Sequence, residues 1–184
     1  LCPEAAITLY RGPNTPVGFA NTVARAISEH NSVISISWGS KETDSDKHEA
    51  LELILKMAAS HVDVTICAAV GDGGSSSTRA LNGNAIPAED GLAHVQYPAS
   101  SPYVLACGGT ELWAASNKIS ERVWNNSKGS GAIKQGGAAT GGGVSALFDL
   151  PAWQKAAGIS IPSVNTGNKG RVVPDVSGFA ATGD

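Results

Sequence analysis

The first two-fifths of the chain alternates short apolar runs with segments whose apolar residues recur at helical spacing. Residues 17–29 place Phe19, Val23 and Ile27 on one face of a helix. A second helix is preceded by good N-cap residues, with Glu49 three positions after Asp46. Strand, helix, strand, helix, strand with short connections predicts an α/β fold built on a parallel sheet with right-handed crossovers. The strands are expected at residues 5–10, 33–38 and 62–69.

The pattern becomes less regular after Gly71. Residues 71–96 form a long polar, glycine-containing stretch, and a loop of that length in a compact domain is usually functional. A strand at 103–107 and a hairpin over 111–124 follow, and then a Gly-, Ala- and Ser-rich loop. A short helix at 151–157 and an extended run at 171–178 complete the prediction. No repeat or interdomain linker is visible, so residues 1–184 read as part of one domain.

Composition excludes two function classes. The 184 residues carry a net charge of −3, so there is no basic surface for a phosphate backbone, and no nucleic-acid partner is expected. No apolar run approaches the roughly 20 residues of a membrane span, so no membrane partner is expected either. Charged residues make up 16% of the chain, below the roughly 25% of typical soluble domains.

Two predicted strand ends offer a candidate site. In open parallel sheets, ligands bind beyond the carboxyl ends of the strands. Ser37, Trp38, Gly39 and Ser40 follow one strand, and the glycine-flanked Asp72 follows the next. Both stretches should therefore lie on the same rim of the sheet. An acidic residue delivered there is a candidate site group, and the alternative is that Asp72 only caps a turn.

Other chemistries lack their sequence signatures. The glycine-rich stretches have neither the Gly-Lys-Ser/Thr ending of a phosphate loop nor a complete dinucleotide fingerprint. The histidines have no ligand-like spacing, so no metal residue is assigned, and His30, His48 and His61 are expected to face solvent. Ser145 follows a loop instead of opening a helix, which is not the setting of a serine nucleophile.

Five segments together resemble the sedolisin family of serine-carboxyl peptidases, and its kumamolisin branch in particular. They are Val-Ile-Ser-Ile-Ser-Trp-Gly at 33–39, Ala-Ala-Val-Gly-Asp-Gly-Gly-Ser at 68–75, Tyr-Pro-Ala-Ser-Ser-Pro-Tyr-Val-Leu-Ala-Cys-Gly-Gly-Thr at 97–110, Thr-Gly-Gly-Gly-Val-Ser at 140–145 and Val-Pro-Asp-Val-Ser-Gly at 173–178. Each motif alone is weak evidence for the family. They occur in the family's order at about the family's spacing over essentially the whole chain, and that combination is specific.

The resemblance implies a subtilisin-like parallel sheet flanked by helices, incomplete in this sequence. It implies a Ser-Glu-Asp triad with a further Asp in the oxyanion hole, and Asp72 matches that further Asp. The matching positions for the triad lie outside the 184 residues, so the chain is expected to be an internal fragment, the central part of one peptidase catalytic domain, and inactive alone. The calcium expected for the family has its ligands outside the chain as well.

The implied partners are a protein or peptide substrate and the remaining segments of the same peptidase. The implied location is secreted, or an acidic compartment. Low pH suits the assignment of Asp72, because an ionised carboxylate would repel a developing oxyanion whereas a protonated acid can donate a hydrogen bond to it.

Substrate contacts are predicted around the same two strand ends. The backbone of Ser37, Trp38 and Gly39 can pair with an extended peptide, although Trp38 can also be read as core filling. Gln96 occupies a position that is acidic in some relatives, where it favours basic side chains of the substrate, and here it is neutral. The predicted substrate-binding set is Ser37, Trp38, Gly39, Ser40, Gly71 and Gln96.

Two alternatives remain open at this point. One is a conventional subtilisin-type serine protease with His as the base, against which Asp72 argues, because subtilisins carry Asn at the equivalent turn. The other is a catalytically inactive relative that only binds peptides.

Overall fold

The computed structural model describes residues 3–43, 48–61, 63–78, 86–115, 118–126 and 138–180. Three α-helices and nine strands are assigned in these ranges. The helices are α1 (Pro16–Ser28), α2 (Glu49–His61) and α3 (Ala152–Ala156). The strands are β1 (Val33–Ile36), β2 (Ser40–Lys41), β3 (Thr65–Ala69), β4 (Gln96–Tyr97), β5 (Leu105–Ala115), β6 (Lys118–Val123), β7 (Gly143–Asp149), β8 (Gly170–Val173) and β9 (Val176–Phe179).

The main sheet is mostly parallel, as predicted. Strand β1 pairs with β3, β3 with β5, and β5 with β9, all in parallel. The predicted hairpin is also present, since β6 runs antiparallel to β5. Two small antiparallel pairs, β2 with β4 and β7 with β8, lie outside this sheet.

Local signals explain where the first helix starts. Pro16 is the first residue of α1, where its missing N–H costs no hydrogen bond. The Thr15 side chain caps the helix by accepting from the Gly18 N–H at 3.0 Å. The cap residues predicted for α2 at positions 44–46 lie outside the described residues.

The core lies on one face of the sheet. Ile34 pairs with Ile66, and Ile36 with Ala68, so their side chains form rows on the same face. These rows pack against Ala20 and Val23 of α1 and against Leu55 of α2 in one buried cluster. On the opposite face Val33 is 64% exposed and Leu105 37% exposed. Among the described residues, α1 and α2 therefore cover the same side of the sheet.

The prediction of a strand at residues 5–10 is wrong. The segment and β1 line the same groove, but residues 5–10 form no ladder, and Ile7 is 92% exposed. A strand exists only when its backbone pairs with a neighbour, so an apolar run alone does not make one.

Glu52 of α2 makes the free energy of unfolding depend on pH. Burial raises the pKa of its carboxyl, and the Ser101 hydroxyl donates to its Oε1 at 3.2 Å. Because the folded-state pKa lies above the unfolded value of about 4.3, the native state holds the proton more tightly. This stabilisation is complete below about pH 4.3 and is lost as the pH rises through the folded-state pKa.

Glu52→Gln should therefore stabilise the protein at neutral pH and leave its stability almost unchanged in acid. Urea denaturation at both pH values measures the difference. The exposed Glu4 offers a matched control, and Glu4→Gln should change the free energy of unfolding by less than about 0.5 kcal/mol at either pH. A Glu52→Gln variant that is no more stable than the wild type at neutral pH would contradict this account.

Candidate active site and substrate cleft

The two predicted strand ends do lie at the same edge of the sheet. Strands β1 and β3 are parallel neighbours, with Ile36 opposite Ala68. Ser37 and Trp38 leave β1 at this edge, and Gly71 and Asp72 leave β3 beside them. Asp72 is half-buried, so its carboxyl lies at the protein surface without being fully exposed to water.

Gln96 lies between the two strand ends. A Cβ built on Gly39 would lie 2.9 Å from Gln96 Oε1, and one built on Gly71 would lie 2.7 Å from Gln96 Cδ. The Gln96 amide therefore lies close to both glycines, and a Cβ on either one would displace it. At Gly39 a Cβ would also lie 2.6 Å from the backbone carbonyl oxygen of Tyr97. Gly71 also has φ of +90°, a conformation that residues with a Cβ rarely adopt. Gly39, Gly71 and Gln96, separated in sequence, are thus brought together.

The ribbon of β2 and β4 sets the position of Gln96. Lys41 pairs with Gln96 and Ser40 with Tyr97 in antiparallel register. Ser40, another predicted contact residue, is thereby fixed next to the same cluster. Its hydroxyl lies 3.0 Å from Nε2 of His48.

The Asp72 turn is held by backbone hydrogen bonds to a glycine-rich segment. The N–H of Ala139 donates to the Asp72 carbonyl at 3.0 Å, and the N–H of Gly141 donates to that of Gly71 at 2.8 Å. The N–H of Gly74 returns a bond to the Ala139 carbonyl at 2.9 Å. Bonds on both sides of Asp72 fix the backbone from which its side chain projects, which is the preorganisation that a catalytic group needs.

Trp38 forms one wall of an apolar cavity of about 280 Å³. Its ring packs on Phe19 with centroids 4.1 Å apart, and 43% of the residue remains exposed. Across the cavity the His48 ring stacks on Tyr97 at 4.1 Å. Trp38 therefore both packs on the protein and lines an accessible surface, so the two readings of the sequence are not exclusive.

His48 corrects the prediction that it faces solvent. It is only 8% exposed, because the β2–β4 ribbon brings Tyr97 and Ser40 against it. Sequence spacing gave no signal for this, since the pairing of β2 with β4 joins distant parts of the chain. Burial and the nearby Glu52 raise the pKa of the Tyr97 phenol, which stays protonated at any pH of interest.

Ser145 has no role as an exposed nucleophile in this geometry. It is 5% exposed within β7, and its hydroxyl donates to the Glu42 carboxylate at 2.6 Å. Glu42, only 2% exposed, was not singled out by the sequence. Within the described ranges no group of three or more His, Cys, Asp or Glu side chains is arranged to hold a metal ion.

The model of the subtilase family, Peptidase_S8, matches residues 1–122. The chain belongs to the subtilase family. Kumamolisin from Bacillus sp. (strain MN-32) is 43% identical to this subtilase over 192 residues, which cover 100% of the chain and 32% of kumamolisin. Sedolisin from Pseudomonas sp. (strain 101) is 34% identical over 174 residues, which cover 90% of the chain and 27% of sedolisin.

The solved structure of Pseudomonas sedolisin, a serine-carboxyl proteinase complexed with two molecules of pseudo-iodotyrostatin, matches this subtilase with a TM-score of 0.70. The two are 31% identical, and the match covers 92% of this chain and 44% of the sedolisin chain. The predicted resemblance to the sedolisin family and the predicted subtilisin-like α/β fold are both confirmed. The chain spans about a third or less of the length of the curated relatives it matches.

Among the described residues, no helix has the length and the apolar character that crossing a membrane requires.

Proposed function

We propose that the polypeptide containing this sequence is an acid-acting serine-carboxyl endopeptidase that hydrolyses peptide bonds of proteins. In this proposal Asp72 is the oxyanion-hole donor that serves a Ser-Glu-Asp triad whose members lie in segments outside these 184 residues. Support comes from the 43% identity to kumamolisin and from the match to the sedolisin fold. The observation that carries the proposal is the half-buried Asp72 on a turn fixed by hydrogen bonds at the carboxyl edge of the parallel sheet.

The rest of the edge suits an extended peptide. Ser37 and Trp38 are exposed and leave β1 at its carboxyl end, so their backbone can pair with a substrate strand. Gly39 and Gly71 leave room for one side chain between them, that of Gln96. With Ser40 beside it, this set forms the floor of the proposed cleft.

The proposal also covers where the whole polypeptide is located and which metal ion it binds. We propose that the whole polypeptide is secreted or works in an acidic compartment, the surroundings that an acid-acting peptidase requires. Calcium, implied by the family resemblance, is proposed to bind through segments other than this one.

Hydrolysis of a peptide library by the whole polypeptide, followed from acid to neutral pH, tests the function. We expect turnover that is greatest in the acid range and little or none from residues 1–184 alone. We also expect no dominant preference for Arg or Lys, because the neutral Gln96 offers no buried counter-charge. Absence of acid-range hydrolysis by the whole polypeptide would refute the function. A strong Arg or Lys preference that survives Gln96→Ala would refute only the role of Gln96.

A further inference from the structure

A buried carboxyl group lies directly behind the β2–β4 ribbon. Glu42 follows β2 and is 2% exposed. Its Oε2 accepts from the Ser145 hydroxyl at 2.6 Å, and its Oε1 accepts from the Ala146 N–H at 2.6 Å. Within the described ranges no Lys or Arg forms an ion pair with it. Burying a carboxyl group is costly unless hydrogen bonds replace its contacts with water, and these two bonds do so.

The donors around Ser145 fix the direction of its hydroxyl. Ser145 Oγ accepts from the N–H of Leu147 at 3.1 Å and from that of Phe148 at 2.9 Å. A hydroxyl has one hydrogen and two acceptor positions, so these two bonds leave it only the donor role towards Glu42. Position 42 must therefore present an acceptor to Ser145 and a second acceptor to Ala146. A carboxylate meets both requirements, whereas an amide supplies one acceptor and one competing donor.

These bonds connect the proposed cleft to a second sheet. The Glu42 N–H donates to the Val95 carbonyl at 3.1 Å, which continues the ladder in which Lys41 pairs with Gln96. Strand β7, which contains Ser145, has a register irregularity between Val144 and Asp149 in its pairing with β8. The Ser145 hydroxyl accepts hydrogen bonds from two N–H groups within this irregular stretch. Glu42 then links the stretch to the β2–β4 ribbon.

We infer that Glu42, acting through Ser145 and Ala146, is a positioning residue that holds Gln96 and Ser40 at the substrate cleft. The inference rests on the proposed function for its effect on catalysis. Glu42 and Ser145 are both buried, so neither contacts substrate directly and any effect on substrate passes through the ribbon. Loss of the carboxylate should loosen the ribbon and weaken substrate binding while leaving the chemical step nearly intact.

The kinetic test compares Glu42→Gln and Ser145→Ala in the whole polypeptide. For each we expect KM to rise roughly tenfold while kcat, normalised to folded enzyme, changes less than about threefold. Glu49→Gln, which alters an exposed carboxylate in the first turn of α2, is the matched control and should leave both constants unchanged. A fall in kcat at constant KM, or failure of both variants to fold, would overturn the positioning role.

Hydrogen–deuterium exchange separates this inference from the proposed function. In Glu42→Gln the amides of residues 95–97 and 146–148 should exchange faster than in the wild type, and those of α1 should not. This readout needs no peptidase activity. A wild-type polypeptide that hydrolyses nothing would refute the function alone. Unchanged exchange in the ribbon would refute the inference alone.

Discussion

Replacing Asp72 with alanine should lower kcat for peptide hydrolysis by the whole polypeptide on the order of 10²–10³-fold, the usual loss on removing one oxyanion-hole donor. The proposed donor would act only in the transition state, so KM should change little. The backbone of the turn is fixed by bonds from Ala139 and Gly141, so the substitution removes a functional group without moving the loop.

Asparagine at position 72 makes the test sharper. Its amide donates a hydrogen bond at every pH, whereas an aspartic acid donates only when protonated. Asp72→Asn should thus retain far more activity than Asp72→Ala. The exposed Asp63 provides the control, because Asp63→Ala removes a carboxylate away from the sheet edge. An alanine variant of Asp72 with near-normal kcat in acid would refute its assignment as the donor.

The second large effect is a loss of stability, expected when the ion pair between Arg171 and Asp175 is broken. This pair joins β8 to the main sheet. Arg171 is fully buried, with Nη1 2.6 Å from Asp175 Oδ1 and Nη2 2.5 Å from Asp175 Oδ2. The same carboxylate accepts from the Ala106 N–H at 2.8 Å, within β5. Asp175→Ala leaves the guanidinium buried without its partner, and should reduce the free energy of unfolding by about 3–5 kcal/mol.

Two comparisons isolate the cause of that loss. Asp149→Ala removes an exposed carboxylate from β7 and should cost less than about 0.5 kcal/mol. The double variant Arg171→Met with Asp175→Leu removes both charges, so it should be more stable than Asp175→Ala alone. Urea denaturation of each protein gives the values. A loss below about 1 kcal/mol in Asp175→Ala would show that the pair contributes little.

The main sheet and its helices were predictable because their signals are local. The helix predicted at residues 17–29 is α1, Pro16–Ser28, which a proline and a threonine cap begin. The strands predicted at 33–38 and 62–69 contain β1 and β3. The expected strand at 5–10 failed because pairing depends on a neighbouring strand, which its own residues do not encode.

The candidate site was predictable only in part, for the same reason. Parallel neighbours place their carboxyl ends together, so the placement of Trp38 and Asp72 at the same edge follows once β1 and β3 pair. The contact of Gln96 with both glycines depends on a two-residue ribbon that has no pattern of its own. The bond from Ser145 to Glu42 spans 103 positions, and no periodicity along the chain could reveal it.

The position of Gln96 between two glycines has a consequence for how such a cleft can diversify. Neither glycine contributes a Cβ, so the surfaces that these two neighbours present to residue 96 are backbone. A substitution of equal size at this position, such as Gln96→Glu, would alter the charge of the proposed cleft while keeping the shape of the side chain. Under the proposed function, selectivity would therefore be separable from stability at one codon, and variants at position 96 form a natural series for testing it.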